Sequence, residues 1–296
     1  MALSHGISEA GLGERLFDRR CRLVVAPPLS GYAGTDPRAI VIENLRVTFR
    51  IKKTRTPKPN AATITVNGLS DDSRALMQSK GARVILQAGY DDAMGTVFFG
   101  DSERIDHKHD GPEWVTKIEA KDAGRAYLNA RVAETFAGSI PRGTAMLRVA
   151  QSLGLGIKAL EAHVPTINAS KSHANGWTAH GRAAPELTRL LKAVGLEWSA
   201  QDGDLIVWRK GEGLPDVVVL DEDHGLLGAP EYGTSEKKGK EPLLKLRSLL
   251  RYQLRIGSKV ALKSRTISGT FMVEHLEHTG DTAAGPWFSD LEVKPA

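Results

Sequence analysis

Gly81-Ala82-Arg83-Val84-Ile85-Leu86-Gln87-Ala88 opens a stretch that runs on through Gly95-Thr96-Val97-Phe98-Phe99. It closes at Gly111-Pro112-Glu113-Trp114-Val115-Thr116-Lys117-Ile118-Glu119-Ala120-Lys121. The same plan returns near the end of the chain. There it reads Gly257-Ser258-Lys259-Val260-Ala261-Leu262-Lys263-Ser264, then Gly269-Thr270-Phe271-Met272-Val273, then Gly285-Pro286-Trp287-Phe288-Ser289-Asp290-Leu291-Glu292-Val293-Lys294. One residue of slack after Gly-Pro sets Trp114 on Trp287, Ile118 on Leu291 and Glu119 on Glu292. Two copies are too few for a solenoid, and they predict a duplicated β-domain with a different segment between them.

The bulk numbers are compatible with that plan. The 296 residues allow two or three modest domains. With 41% hydrophobic and 25% charged residues, the composition is that of an ordinary globular chain. Thirty glycines and fourteen prolines suit many strands and turns. The net charge of +5 permits a polyanionic partner without arguing for one. Cys21 is the sole cysteine, so an internal disulfide is excluded; it opens the apolar run to Ala26 and reads as a small buried hydrophobe. Folding in a reducing cytoplasm fits. No run of about 18 apolar residues predicts membrane insertion by the chain itself. Residues 1–20 lack the apolar centre of a signal peptide and read as an N-terminal arm.

Outward from the repeat, Leu45, Val47, Phe49 and Ile51 alternate with Arg46, Thr48, Arg50 and Lys52, a half-buried strand within 39–53. Ala62, Ile64 and Val66 alternate on the way back. The pair predicts a long hairpin whose basic tip carries Arg55 and Lys58, with a length suited to reaching a neighbouring subunit. Ser70, before Asp71 and Asp72, predicts the cap of a short helix. Residues 122–131 read as a short helix or the exit from the first β-unit. Between the copies the pattern changes. Met146, Leu147, Val149, Ala150 and Leu153 have helical spacing, and Pro185-Glu186 opens a second helix. Leu196 to Trp208 is a hairpin around Asp202-Gly203. Residues 157–180 give no clear pattern. Val217 to Leu220 reads as a strand, 225–240 as a linker or crossing loop.

Candidate chemistry is sparse. His107 and His109 have the spacing of a strand metal site, but no third ligand stands nearby, and a polar strand end is the reading adopted. Glu274-His275-Leu276-Glu277-His278 places its histidines on opposite strand faces and aligns with Gly100 to Arg104 of the first copy. Glu161, Glu186 and Glu197 are carboxylates with no pairing visible in sequence. No nucleophile elbow and no phosphate-binding loop occurs. The expectation is that the protein is not an enzyme and has no catalytic, metal or cofactor residues. Arg46, Arg50, Lys52, Lys53, Arg55 and Lys58 form a basic hairpin without interleaved aromatics, which favours a subunit or tube-protein interface over a stacking platform for nucleic acid.

Three stretches carry a resemblance to a known family. They are Thr65 to Leu76, Lys80 to Tyr90 with Phe98-Phe99-Gly100-Asp101, and Gly269 through His278-Thr279-Gly280-Asp281 to Leu291. The chain resembles the baseplate hub proteins (late control protein D-like) of tailed bacteriophages and contractile injection systems, over roughly 41–293. It departs from them in the lysine-rich Glu236-Lys237-Lys238-Gly239-Lys240. The resemblance implies a mainly β chain, α+β overall, with two tail-tube-like β-barrels: 21–132 with the long hairpin, and 213–296 with strands 216–220 and 250–296. A small α+β insert at 133–212 separates them. It implies a homotrimer whose six barrels form a ring, a structural part of the virion assembled in the host cytoplasm. The ring would join a sixfold tail tube or tube initiator to a threefold central spike, contact baseplate wedge and tape-measure proteins, and pass DNA as cargo. Trp114 and Trp287 are expected to close the core or rim of each barrel. Two rival readings are a hub with peptidoglycan hydrolase activity in the insert and a basic β-barrel module that binds nucleic acid.

Overall fold

A computed structural model of the chain describes residues 16, 18–27, 38–77, 81–91, 93–122, 129–170, 172–173, 176–233 and 242–296. Most of the N-terminal arm, the exit at 123–128 and the lysine-rich segment 236–240 lie outside the described residues. The fold is mainly β, and the duplication organises it.

The first unit contains β1 (Arg19–Ala26), β2 (Ile40–Ile42), β3 (Val47–Thr54) and β4 (Ala61–Asn67). Then come α1 (Asp71–Met77), β5 (Arg83–Tyr90), β6 (Ala93–Asp110) and β7 (Glu113–Lys121). Its strand order is β3-β4-β7-β6-β5-β1-β2. Ser70 caps α1 by accepting the Ser73 amide at 3.3 Å. Next come β8 (Arg131–Phe136), β9 (Ile140–Pro141), α2 (Arg142–Ser152), α3 (Lys158–Ser170), β10 (Ser172–His173), β11 (Trp177–Arg182) and α4 (Ala183–Lys192). The hairpin β12 (Leu196–Gln201) and β13 (Asp204–Arg209) turns at Asp202 and Gly203, both with positive φ as a tight hairpin turn needs. Met146, Val149, Leu160, Leu187, Leu191, Trp198 and Leu205 bury one another in a core of their own.

The second unit contains β14 (Val217–Leu220), β15 (Leu226–Tyr232), β16 (Leu244–Leu249), β17 (Lys259–Lys263), β18 (Ser268–Asp281) and β19 (Trp287–Pro295). Its order is β15-β16-β19-β18-β17-β14. Hairpin β15–β16 therefore stands where β3–β4 stands, and meander β17–β19 where β5–β7 stands. The segment expected as a loop at 225–240 is a strand over Leu226–Tyr232. Gly228 and Pro230 break its alternation, and the register shifts between Leu227 and Glu231.

Each unit packs one face on a core: Phe49, Ile64, Leu86, Phe98 and Ile118 in the first, which Leu250 and Trp287 of the second unit enter, and Leu246, Val260, Val273, Leu276 and Leu291 in the second. Cys21 lies in the first core, and burial pushes its thiol up to about 12. The strand alternation drives this, since each large apolar side chain removed from water contributes roughly 1.5–3 kcal/mol. On β16, for example, Leu244 and Leu246 are buried while Lys245 and Arg247 are exposed.

Candidate functional site

The two units meet along one strand pair. β3 runs antiparallel to the second half of β18, from Thr48 opposite Asp281 to Thr54 opposite His275. This joint makes thirteen strands into one sheet. It works because β18 is longer than β17. Residues 268–272 pair with β17, and beyond them the same edge receives β3.

The repeat makes this joint comparable with another place in the molecule. Asp101 faces Arg83 and Lys121, and Met272 faces Lys259 and Lys294. A register shift follows in both copies, between Ser102 and Arg104 and between Val273 and His275. Past it, Ile105 faces Ile118 as Leu276 faces Leu291, and His109 faces Trp114 as Gly280 faces Trp287. His107 Nδ1 lies 2.9 Å from Thr116 Oγ1, and His278 Nδ1 lies 2.8 Å from Ser289 Oγ. The histidines of both copies thus share one strand position and one hydrogen bond to the next strand. This corrects the alignment of Glu274–His278 with Gly100–Arg104: the structure sets them against Glu103–His107. The first hairpin β5–β6 is longer, so Gly95 does not match Gly269.

The same strand half is covered in one copy and uncovered in the other. Under β3, Leu276 is 2% exposed, His278 1% and Asp281 6%. On β6, Ile105 and His107 are half-buried, and Lys108, His109 and Asp110 are exposed. Among the described strands, β6 from Arg104 to Asp110 pairs with β7 alone, and β15 pairs with β16 alone. Tyr232 on β15 is 58% exposed, whereas its counterpart Ile51 on β3 is fully buried. The tryptophans divide likewise. Trp287 is buried, with Phe49 edge-to-face at 5.4 Å, while Trp114 is 36% exposed beside Arg74 and His109.

The basic hairpin lies at the joint. Arg46 holds Asp281 at 2.8 Å, and this hydrogen-bonded guanidinium keeps that carboxyl below the usual carboxylate range. Arg50 and Lys52 both reach Glu277. Lys53 is buried against Asp202 of the insert. Arg55 bonds Glu274 at 2.9 Å, lies 3.5 Å from Glu197 and covers the Trp208 ring at 4.6 Å. Lys58 is exposed at the tip. The tip is thus held by the chain's own insert. Ser199 donates to the Thr56 carbonyl at 3.0 Å, and Asn60 donates to Asp122 and Gln201 at 2.8 and 3.1 Å. Of the insert carboxylates, Glu197 serves Arg55 and the Trp208 indole, Glu186 is bound to Arg189, and Glu161 is exposed on α3.

Two buried titratable groups flank the joint with opposite signs. Burial pushes His278 from 6.5 down to about 3, and pushes Asp122 from 3.8 up to about 6. Below pH 6.5 the unfolded chain binds a proton at His278 that the folded chain refuses, so this group lowers stability on acidification. Between about pH 6 and 4 folded Asp122 binds a proton before the unfolded chain does, and raises stability by roughly 1.4 kcal/mol per pH unit. Asp122→Asn is therefore expected to lack this rise, so that the stability gap between it and the parent shifts in the parent's favour on acidification from about pH 6 to about pH 4. Urea unfolding across that range measures it, and a gap independent of pH would contradict the assignment.

No protein-family model and no curated protein matches the sequence. The fold does match solved structures. It superposes on the 43 kDa tail protein of prophage MuSo2 from Shewanella oneidensis with a TM-score of 0.62 at 9% identity, over 94% of this chain and 97% of that one. A tail protein from Neisseria meningitidis MC58 gives 0.60 at 10% identity, again over 94% and 97%. An Escherichia coli component of the type VI secretion system, itself described as similar to bacteriophage T4 tail proteins, gives 0.55 at 10% identity over 85% and 73%. The chain has the fold of these tail proteins.

Proposed function

We propose that three copies of this chain close into a ring in which β6 of each copy pairs with β15 of the next, as β18 pairs with β3 within a copy. The observation that carries the reading is the strand half present twice, covered at Leu276 and His278 and uncovered at Ile105 and His107. An unpaired edge next to a half-buried strand is a site for pairing with another chain. Three chains with two similar units each give a nearly sixfold wall, while the unlike copies keep a threefold identity. Each copy contributes β15-β16-β19-β18-β3-β4-β7-β6, eight consecutive strands.

In this reading the protein is a structural, non-enzymatic baseplate hub of a virion tail or related injection machine. One end of the ring receives the tail tube or its initiator and the other a central spike, with wedge and tape-measure proteins nearby. The sheet face away from the cores lines the channel. It carries Arg50 with Glu277, Lys117 with Glu119 and Arg247 with Asp290, so each of these three cations has an acid beside it. Pairs of this kind weaken retention of passing DNA, since retention comes from unneutralised cations. Arg46, Arg50, Lys52, Lys53 and Arg55 organise the joint within a copy, and Lys58 is left for a neighbouring tail protein. A nucleic-acid-binding module gains no support from a hairpin whose cations are engaged in this way.

Light scattering on the purified protein tests the assembly. The expected mass is three times the 32.0 kDa chain. A strict monomer at the highest attainable concentration would remove the ring.

A further inference from the structure

The joint within the chain and the uncovered edges differ in a systematic way, and the difference defines how one copy recognises the next. Within the chain, Phe49 on β3 lies opposite Gly280 on β18. Glycine is required there: a Cβ at 280 would stand 2.2 Å from the Phe49 ring. The repeat places His109 at the Gly280 position, since both face the matched tryptophan. It places Pro230 at the Phe49 position. Arg50 faces Thr63 and Phe49 faces Ile64, while Glu231 faces Lys245; Pro230, the residue before Glu231, is buried as Phe49 is, at the end of the register shift. Gly228, Ala229 and Pro230 together span the irregularity, between Leu227 opposite Arg247 and Glu231 opposite Lys245. Large-on-small in one joint becomes small-on-large in the other.

The charges change at the same place. Arg50 lies opposite Thr279 and bonds Glu277. The matching residues are Glu231 on β15 and Lys108 on β6, both exposed and opposite in charge. We infer that Pro230 with Glu231 on one copy and His109 with Lys108 on the next form a keyed contact specific for a second copy of this chain, complementary to itself and incompatible with the Phe49–Gly280 joint. Pairing β3 of one copy on β6 of another would drive the Phe49 ring into His109 and set Arg50 against Lys108. Both are unfavourable, the first as overpacking and the second as like charges on facing strands. Pairing β15 on β18 would leave Gly280 opposite Pro230 with an unfilled gap. The keying thus directs unlike units together and excludes like-with-like chains that would not close.

This inference rests on the ring reading, and the experiment separates the two. Mass is measured against concentration for the full-length parent, His109→Gly, Pro230→Phe and the double variant, and for Lys108→Glu, Glu231→Lys and their double. His109→Gly and Pro230→Phe are each expected to weaken self-association roughly tenfold or more, as loss of a central packed contact does, and Lys108→Glu and Glu231→Lys each by roughly two- to fivefold, the size of an exposed cross-strand charge pair. Each double is expected to restore it. The charge variants lie on exposed positions and keep the monomer folded, which circular dichroism checks. A parent that never associates overturns the ring and the keying with it. A trimeric parent whose single variants associate as well as it does overturns the keying alone, and so do doubles that fail to recover.

Discussion

Gly280→Leu is expected to destabilise the folded chain by about 3 kcal/mol or more, the upper end of what overpacking costs. Position 280 is enclosed on both sides, with Trp287 across one ladder and Phe49 across the other. The Phe49 ring is 3% exposed and held edge-to-face by Trp287, so it has nowhere to turn. Phe49→Ala alone is expected to cost ~3–5 kcal/mol through the cavity it leaves. The two together should cost less than their sum, because the leucine enters the space the ring vacates, and coupling between touching residues runs to ~0.5–3 kcal/mol. Urea unfolding of the three variants reads this directly. Strict additivity would show that the two positions do not compete for one volume.

Arg55→Met is expected to cost about 3 kcal/mol and to loosen the insert from the sheet. The Arg55 side chain is 8% exposed. It joins β3 to β18 through Glu274, reaches β12 through Glu197, stacks over Trp208 of β13 and donates to the Glu212 carbonyl at 2.6 Å. Removing one partner of a buried ionic cluster leaves the remaining groups desolvated and under-bonded, which costs ~3–5 kcal/mol. The lower figure applies because Glu274 keeps Lys294 at 2.7 Å. Arg55→Lys is expected to recover little, since a single ammonium cannot serve two carboxylates, a carbonyl and a ring face at once. Limited proteolysis between residues 122 and 131 and near residue 212, together with urea unfolding, checks both parts. Unchanged cleavage in Arg55→Met would contradict the role assigned to this guanidinium.

Much of the fold was legible because the repeat and the alternation are local signals. The Gly-Pro and tryptophan landmarks marked both meanders, and Asp202-Gly203 marked the insert hairpin. What was not legible has physical causes. Pro165 lies inside α3 and obscures its period. Gly228 and Pro230 made an edge strand look like a loop. The register of the copies slipped at Gly95 because the lengths of hairpins β5–β6 and β17–β18 are set by their turns. The cations of the hairpin were visible, but their partners are not local: Arg50 meets an acid 227 residues further on, and Lys53 meets one 149 residues away. A signal was there in the acidic Glu274 and Glu277 of the matched strand, although reading it required the β3–β18 pairing.

That pairing also has a consequence in time. Strand β3 leaves the ribosome early, and its partner β18 follows more than two hundred residues later. Until then one side of β3 carries unsatisfied backbone groups in a half-apolar strand, and contacts this distant in sequence form slowly. The insert hairpin, made in between, carries Ser199 and Gln201, the partners of the β3–β4 tip, ahead of the last strands in the chain. A chain cut short before Ser268 keeps β3 open and lacks a finished second unit. The seam that joins the two units is therefore completed only by the last strands of the chain.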